Sequence, residues 1–182
     1  MKQNGFTLIE LMAAIVLLSV MAVVAIPAMG NLFQNNTLIA FTNSFTSSIA
    51  LARSEAIKRN LQVSMCALND AGTNCGANGE WEDGWTVWVD TDNDNSVDAA
   101  ELVIYTTDNL PTGYTLRSTT GIYSNLIVFN QDGVSSGDGG VSGNDNMRVC
   151  DAGGDANLNR SINLNAVGRA YVNTDLVGTG CP

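Results

Sequence analysis

Residues 5–29 read Gly5-Phe6-Thr7-Leu8-Ile9-Glu10 and then LMAAIVLLSVMAVVAIPAM, the apolar run from Leu11 to Met29. No charged side chain follows Glu10 until Arg53. At 1.5 Å per residue, Leu11–Met29 makes roughly 29 Å of helix, about the depth of a bilayer's hydrocarbon core. The helical period then continues but becomes one-sided. Phe41, Phe45, Ile49, Ala52 and Ala56 recur every three or four residues, with Asn43, Ser44, Ser47 and Ser48 between them. Arg53, Lys58 and Arg59 gather in the last turns, where cations suit a helix C-terminus, and Glu55 lies four residues ahead of Arg59. The pattern predicts one helix over Thr7–Arg59, its first half in lipid and its second half lying on a domain.

Past Asn60 the texture changes to short β-type runs separated by Gly, Asn and Asp: Leu61–Leu68, Trp85–Val89, Leu102–Thr106, Tyr114–Arg117, Leu126–Asn130, Met147–Cys150, Ser161–Asn165 and Ala170–Asn173. Several alternate, so that Leu61, Val63 and Met65 share one face, and Ile162, Leu164 and Ala166 share another. Sequential short strands imply an antiparallel sheet, one face covered by the apolar stripe of the helix. The fold class is thus α+β. The expected division is a leader at 1–5, a transmembrane helix segment at 6–29, an amphipathic continuation at 30–59 and a β head at 60–182. Gly137–Asn146 (GDGGVSGNDN) is expected to be a mobile loop; it lacks the Gly-Lys-Ser/Thr ending of a phosphate loop.

The chain has 182 residues, 18 acidic and 8 basic, and no histidine. The length fits one domain plus an appendage. Without histidine there is no Ser-His or Cys-His nucleophile pair and the commonest metal ligand is missing, so no enzyme is expected and no cofactor is required. Residues 60–182 hold sixteen acids against four arginines, a charge of about −12. That balance opposes nucleic acid as a partner, because phosphate binding needs a basic footprint.

The N-terminus can be read in three ways. A secretory signal would be interrupted by Glu10 and would end in a poor cleavage site, Ile26-Pro27-Ala28. A plain membrane anchor leaves Glu10 unexplained. Gly5-Phe6-Thr7-Leu8-Ile9-Glu10 resembles the class III signal of type IV pilins and pseudopilins, which accounts for both oddities. The resemblance implies cleavage between Gly5 and Phe6 by a prepilin peptidase and N-methylation of Phe6. Glu10 and Pro27 then stand, counted from the new N-terminus, where those families place them. A carboxylate in hydrocarbon costs several kcal/mol unless paired, and the freed amine of a neighbouring subunit can pair with Glu10 as helices bundle. Pro27 removes a backbone hydrogen bond, so a kink or loosened turn is expected there.

The helix end Ala52-Arg53-Ser54-Glu55-Ala56-Ile57-Lys58-Arg59, the strand Gly84-Trp85-Thr86-Val87-Trp88-Val89-Asp90 and the turn Asn165-Ala166-Val167-Gly168-Arg169 are similar to the GspH/FimT family, which includes FimT/FimU-type minor pilins. Trp85 and Trp88 are expected to pack in the core and on the sheet surface. The resemblance implies a minor pilin that initiates or caps a type IV pilus. It would be a single-pass inner-membrane protein with a periplasmic head, entering a filament with the major pilin and other minor pilins through the assembly platform. The alternative is the type II secretion pseudopilin of the same family. A further alternative is a DNA-binding member used in natural transformation. That branch carries a Gly-Arg-x-Arg patch, whereas here Gly168-Arg169-Ala170-Tyr171 lacks the second arginine, leaving a stripe of Arg148, Arg160 and Arg169 as support.

Residues 90–101 (DTDNDNSVDAAE) place Asp90, Asp92, Asp94, Ser96, Asp98 and Glu101 at positions 1, 3, 5, 7, 9 and 12, the ligand spacing of an EF-hand calcium loop. Asn95 stands where that loop has glycine, and the flanks read as strands. The competing reading is a solvated acidic turn; calcium is the candidate cation. Cys66, Cys75, Cys150 and Cys181 allow three pairings. Cys66–Cys75 and Cys150–Cys181 are the favoured pairs, suited to an oxidising periplasm.

Overall fold

The computed structural model describes residues 7–69, 75, 79–151, 153 and 159–173; the side chains of Val24, Pro27, Ala28, Asn31 and Asp138 fall outside the description. Helix α1 covers Leu8–Arg59. Nine strands follow: β1 (Gln62–Ala67), β2 (Trp85–Asp90), β3 (Leu102–Thr106), β4 (Thr115–Ser118), β5 (Leu126–Phe129), β6 (Ser135–Ser136), β7 (Asp145–Cys150), β8 (Arg160–Leu164) and β9 (Ala170–Asn173). The helix assignment is continuous through Pro27. The chain divides into two compact units, residues 1–37 and 38–182.

From Leu8 on, the first unit is helical and its described apolar side chains are exposed around the helix. Leu8, Ile9, Leu11, Met12, Ile15, Val16, Leu17 and Leu18 are all more than half exposed, as are Val20, Met21, Val23, Ile26, Leu32 and Phe33. A helix apolar all round is one that lipid or other helices will cover. Among the described residues no helix is long and apolar enough to cross a membrane. Val24, Pro27 and Ala28, which the sequence places inside the apolar run, are among the side chains left outside the description.

The second unit has its own core. Phe45, Ile49, Ala52 and Ala56 are buried along one stripe of α1 with Phe41 half-buried against the same core, the three-to-four spacing read from the sequence, and buried Leu38 extends the stripe toward the N-terminus. Phe45 sits between Trp81 and Trp85, with centroids 5.1 Å away in both cases and rings nearly perpendicular. Ser48, read from the sequence as lying between apolar positions, is buried too. It bonds the carbonyl of Ser44 and accepts the indole N–H of Trp85 at 2.9 Å. The helix therefore offers the core a polar anchor as well as an apolar stripe.

The strands form two antiparallel sheets instead of the single sheet expected. One runs β3-β2-β1-β5-β6 and the other β4-β7-β8-β9. Both contribute to one core: Val63, Met65, Trp85, Val87, Ile127 and Phe129 come from the first sheet, and Leu116, Met147, Val149, Ile162 and Leu164 from the second. Hydrogen bonds stitch the seam, from Ser135 N–H to the Ala166 carbonyl and from the Ser135 hydroxyl to the Asn165 carbonyl. The Tyr123 hydroxyl joins the same group by pairing with Ser135 Oγ at 2.9 Å, and burial pushes its pKa up.

The segment 137–146, expected to be a mobile loop, is built into this arrangement. Asp138–Gly140 forms a 3₁₀ turn and Asp145 begins β7. Asp145 is buried; it accepts the Ser118 hydroxyl and the backbone N–H groups of Thr120 and Tyr123. Three donors on one buried carboxylate pin the β4–β5 connection against β7. Glu82 does similar work from within the short 3₁₀ turn at Trp81–Asp83, accepting Leu116 N–H at 3.2 Å and Arg117 Nη2 at 2.7 Å. The Glu82 hydrogen bond in turn raises the pKa of Arg117.

Candidate functional site

The first candidate is the start of α1. Gly5 and Phe6, the expected cleavage and methylation residues, lie outside the described residues. Glu10 stands in the first helical turn. Its Oε2 accepts both Thr7 N–H and Thr7 Oγ1 at 2.9 Å, while Thr7 Oγ1 accepts Glu10 N–H at 3.3 Å. This reciprocal pair is a capping box, legible in the sequence as Thr-x-x-Glu before an apolar run. The sequence reading assigned Glu10 to subunit docking and overlooked this second role. Capping supplies Glu10 with hydrogen bonds, and among the described residues no ion pair reaches its charge. Pro27, the other expected assembly residue, lies within α1, and its side chain is outside the description.

The second candidate is the turn between β2 and β3. Carboxylate oxygens of Asp90, Asp92 and Asp94 come within 4.8 Å of one another. Asp90 closes β2 and is buried; Asp92 and Asp94 are exposed. Asn93 and Asn95 adopt the left-handed conformation, with φ of 63° and 62°. Asparagine is among the few non-glycine residues that visit this region readily, which is why Asn95 can stand in for the glycine of the EF-hand pattern. Asp98 and Glu101 stay outside the three-carboxylate group. Glu101 instead clasps the loop, accepting Thr91 N–H at 2.7 Å and Asp98 N–H at 3.2 Å. Ser96 donates its backbone N–H to Asp94 at 2.7 Å. The charge of Asp94, then burial, then Asp92 and Glu101 push the Asp98 carboxyl above its ordinary value. The flanks are strands, as the sequence indicated.

The remaining expectations resolve as follows. Cys66 and Cys75 form a disulfide. Cys150 is also disulfide-bonded, and its expected partner Cys181 lies outside the described residues. Trp85 belongs to the core and Trp88, fully buried, to the opposite face of β2. The arginine stripe does not form. Arg148 opposes Ser161 and Arg160 opposes Val149; cross-strand partners share a face and neighbours alternate, so Arg148 and Arg160 point to opposite sides of the sheet. The Gly168-Arg169 turn has an architectural role. Gly168 has a φ of 75°, and a Cβ there would strike the Gly133 carbonyl, whose oxygen also accepts Arg53 Nε from α1 at 3.1 Å.

Comparison with known proteins agrees with this geometry. No curated protein sequence matches the chain. The fold is similar to the type IV minor pilin FimU of Pseudomonas aeruginosa, with TM-score 0.54 and 16% identity over 80% of this chain and 93% of that one. A second crystal form of FimU gives TM-score 0.50 and 15% identity over 76% and 93% of the two chains. The minor pseudopilin EpsH of the Type 2 Secretion System of Vibrio cholerae gives 0.49 and 11% over 72% and 91%. Residues 1–26 match the prokaryotic N-terminal methylation motif. Residues 42–168, well over half of the sequence, match the model of type II transport protein GspH, and the chain belongs to that family of pilin-like proteins.

Proposed function

We infer that the protein is a minor subunit of a type IV pilus, made as a prepilin, cut between Gly5 and Phe6, methylated on Phe6 and used to initiate or cap the filament. The observation that carries the reading is the contrast between the two units. One is a helix exposing apolar side chains on all sides from Leu8 to Phe33, and the other buries its apolar residues in a core of its own. A soluble domain has no use for the first unit, whereas a subunit held in lipid before assembly and in a bundle of helices afterwards needs it. The methylation motif over residues 1–26 supports the processing. The apolar run Leu11–Met29 supports a single inner-membrane span with the head in the periplasm, where disulfides form. Its partners are then the prepilin peptidase, the inner-membrane assembly platform, the major pilin and other minor pilins. The function is assembly through surfaces, without catalysis.

A second reading, a type II secretion pseudopilin, draws on the description of the matching family. The Ile26-Pro27 pair leans toward the pilus. Deletion separates them: loss of surface pili supports the first, and retained pili with blocked exoprotein release supports the second. DNA binding is disfavoured by the head's negative charge and by the opposed faces of Arg148 and Arg160. Processing is tested by the intact mass of the protein purified from membranes. A species lacking the first five residues and carrying one methyl is expected; an N-terminus near residue 29 refutes the prepilin.

A further inference from the structure

The β2–β3 turn plays no part in the filament reading, yet it holds a buried acid that its own surroundings leave half satisfied. Asp90 is 1% exposed. Its Oδ2 accepts Gln62 Nε2 at 2.7 Å, the Asn95 backbone N–H at 3.1 Å and the Ser64 hydroxyl at 3.2 Å. Its Oδ1 is buried and has no hydrogen-bond partner among the described residues. The ion pairs among the described residues lie elsewhere, at Glu55, Glu80 and Glu82. A buried carboxylate with an orphaned oxygen carries the desolvation cost of that atom, and a cation held by the same carboxylate would offset it.

The geometry around Asp90 supplies the other half of the argument. One of its oxygens lies within 4.8 Å of oxygens from Asp92 and Asp94. Calcium binds oxygen at 2.3–2.6 Å, so two ligands on opposite sides of one ion stand roughly 5 Å apart. The three carboxylates are therefore already near the spacing a shared ion requires. Only oxygen donors are present, which suits a hard cation and offers zinc or copper neither nitrogen nor sulfur. Asp92 and Asp94 sit on an exposed loop that can adjust, and water can complete the shell. That tolerance favours calcium over magnesium, which demands a compact octahedron.

We propose that the β2–β3 turn binds a calcium ion, with Asp90 as the buried ligand and Asp92 and Asp94 as the solvent-side ligands. Glu101 stays on its backbone donors at Thr91 and Asp98, closing the loop behind the ion. Because the turn joins β2 to β3, the edge strand of the larger sheet, the ion fixes that edge to the core strand whose end carries Asp90.

The test uses the full chain in a non-ionic detergent, stripped with chelator and titrated with calcium chloride by calorimetry, with thermal melting run in parallel. Binding in the range of about 10⁻⁵ to 10⁻³ M is expected, together with a rise of several degrees in melting temperature at saturation. Magnesium at the same concentration should give a clearly smaller shift. Asp92→Asn and Asp94→Asn, at exposed positions, should each weaken calcium by about tenfold or more while leaving the metal-free melting temperature unchanged or slightly raised. Asp90→Asn removes a buried hydrogen-bonded charge and can fail to fold, so the exposed pair carries the test. The proposal is overturned if the parent gives neither heat nor a melting shift at about 10 mM calcium. It is equally overturned if magnesium stabilises as much as calcium, or if the Asp92→Asn/Asp94→Asn double variant titrates like the parent.

Discussion

Replacing Phe45 by alanine strikes the point at which the second half of α1 is seated in the head. The ring is fully buried, 5.1 Å from both Trp81 and Trp85 and set edge-on to each, at 80° and 84°. Both indoles are tethered, Trp81 Nε1 to the Tyr123 carbonyl and Trp85 Nε1 to Ser48 Oγ, each at 2.9 Å. They cannot collapse freely into the space the ring leaves. The cost should therefore approach the upper part of the range for such truncations, about 4 kcal/mol within 3–5. The two edge contacts, worth about 0.5–1.5 kcal/mol each, are included in that figure and not added to it. In a chain of this size each kcal/mol lowers the melting temperature by about 2–4 °C, so the expected fall is about 8–16 °C. The assay is guanidinium and thermal unfolding of the full chain in detergent, followed by tryptophan fluorescence, with Phe45→Leu as a volume-conserving control that should lose markedly less. A loss below about 1 kcal/mol for Phe45→Ala would mean the helix is not held on the head by this ring.

Ser48→Ala leaves the buried Trp85 N–H without an acceptor and should cost about 1–3 kcal/mol in the same unfolding assay. Gly168→Ala forces a side chain onto a φ of 75° and against the Gly133 carbonyl, and a loss of about 1–3 kcal/mol or poor expression of folded protein is expected. Glu10→Gln keeps a capping partner for Thr7 but removes the charge, while Glu10→Ala removes both; if charge pairing drives docking, neither variant enters sheared filaments, and normal incorporation of Glu10→Gln refutes the pairing. Arg59 and then Lys58 hold the Glu55 carboxyl below the usual carboxylate range. Its small stabilising contribution is thus present above the ordinary carboxylate value and lost as pH falls through the lowered one. An NMR titration of Glu55, compared with Arg59→Ala, should show the midpoint rise in the variant.

The helix was legible because an uncharged apolar run passes directly into a three-to-four apolar period that reaches Ala56, with cations in the last turns; the Thr-x-x-Glu start was a further signal that the reading passed over. Strand positions were legible for a similar reason: alternation marks which residues share a face, as at Val63 and Met65. Pairing was not legible, since alternation says nothing about which strand lies beside which. Hence one sheet was expected where Ser135 and the Asn165–Ala166 carbonyls join two. Asp145 was hidden inside a Gly-rich run with no periodicity, and only its three donors, brought from a segment more than twenty residues earlier, reveal it. Ser48 was misjudged because a serine among apolar positions reads as surface until an indole N–H arrives to use it. The acidic turn was visible in its spacing, but the sequence suggested six ligands. The chain's own backbone claims Glu101, and the three aspartates are what the fold brings together.

Six hydroxyls along α1 share one habit that bears on assembly. Ser19 donates to the Val16 carbonyl, Thr37 to Phe33, Thr42 to Leu38, Thr46 to Thr42, Ser48 to Ser44 and Ser54 to Leu51. Each is satisfied by its own helix, so its pairing does not depend on what covers the helix outside. Ser19 is the one of these inside the apolar run proposed to move from a bilayer into a filament, two dry environments in which an unpaired hydroxyl would be costly. Internal pairing removes that cost from the transfer. Glu10 follows the habit in its hydrogen bonds, through Thr7, but a capping box cannot neutralise a full charge. In the proposed filament, what a neighbouring subunit would contribute is therefore narrower than a complete partner for a buried acid. It is one positive charge, and a freed N-terminal amine has the right sign and size to supply it.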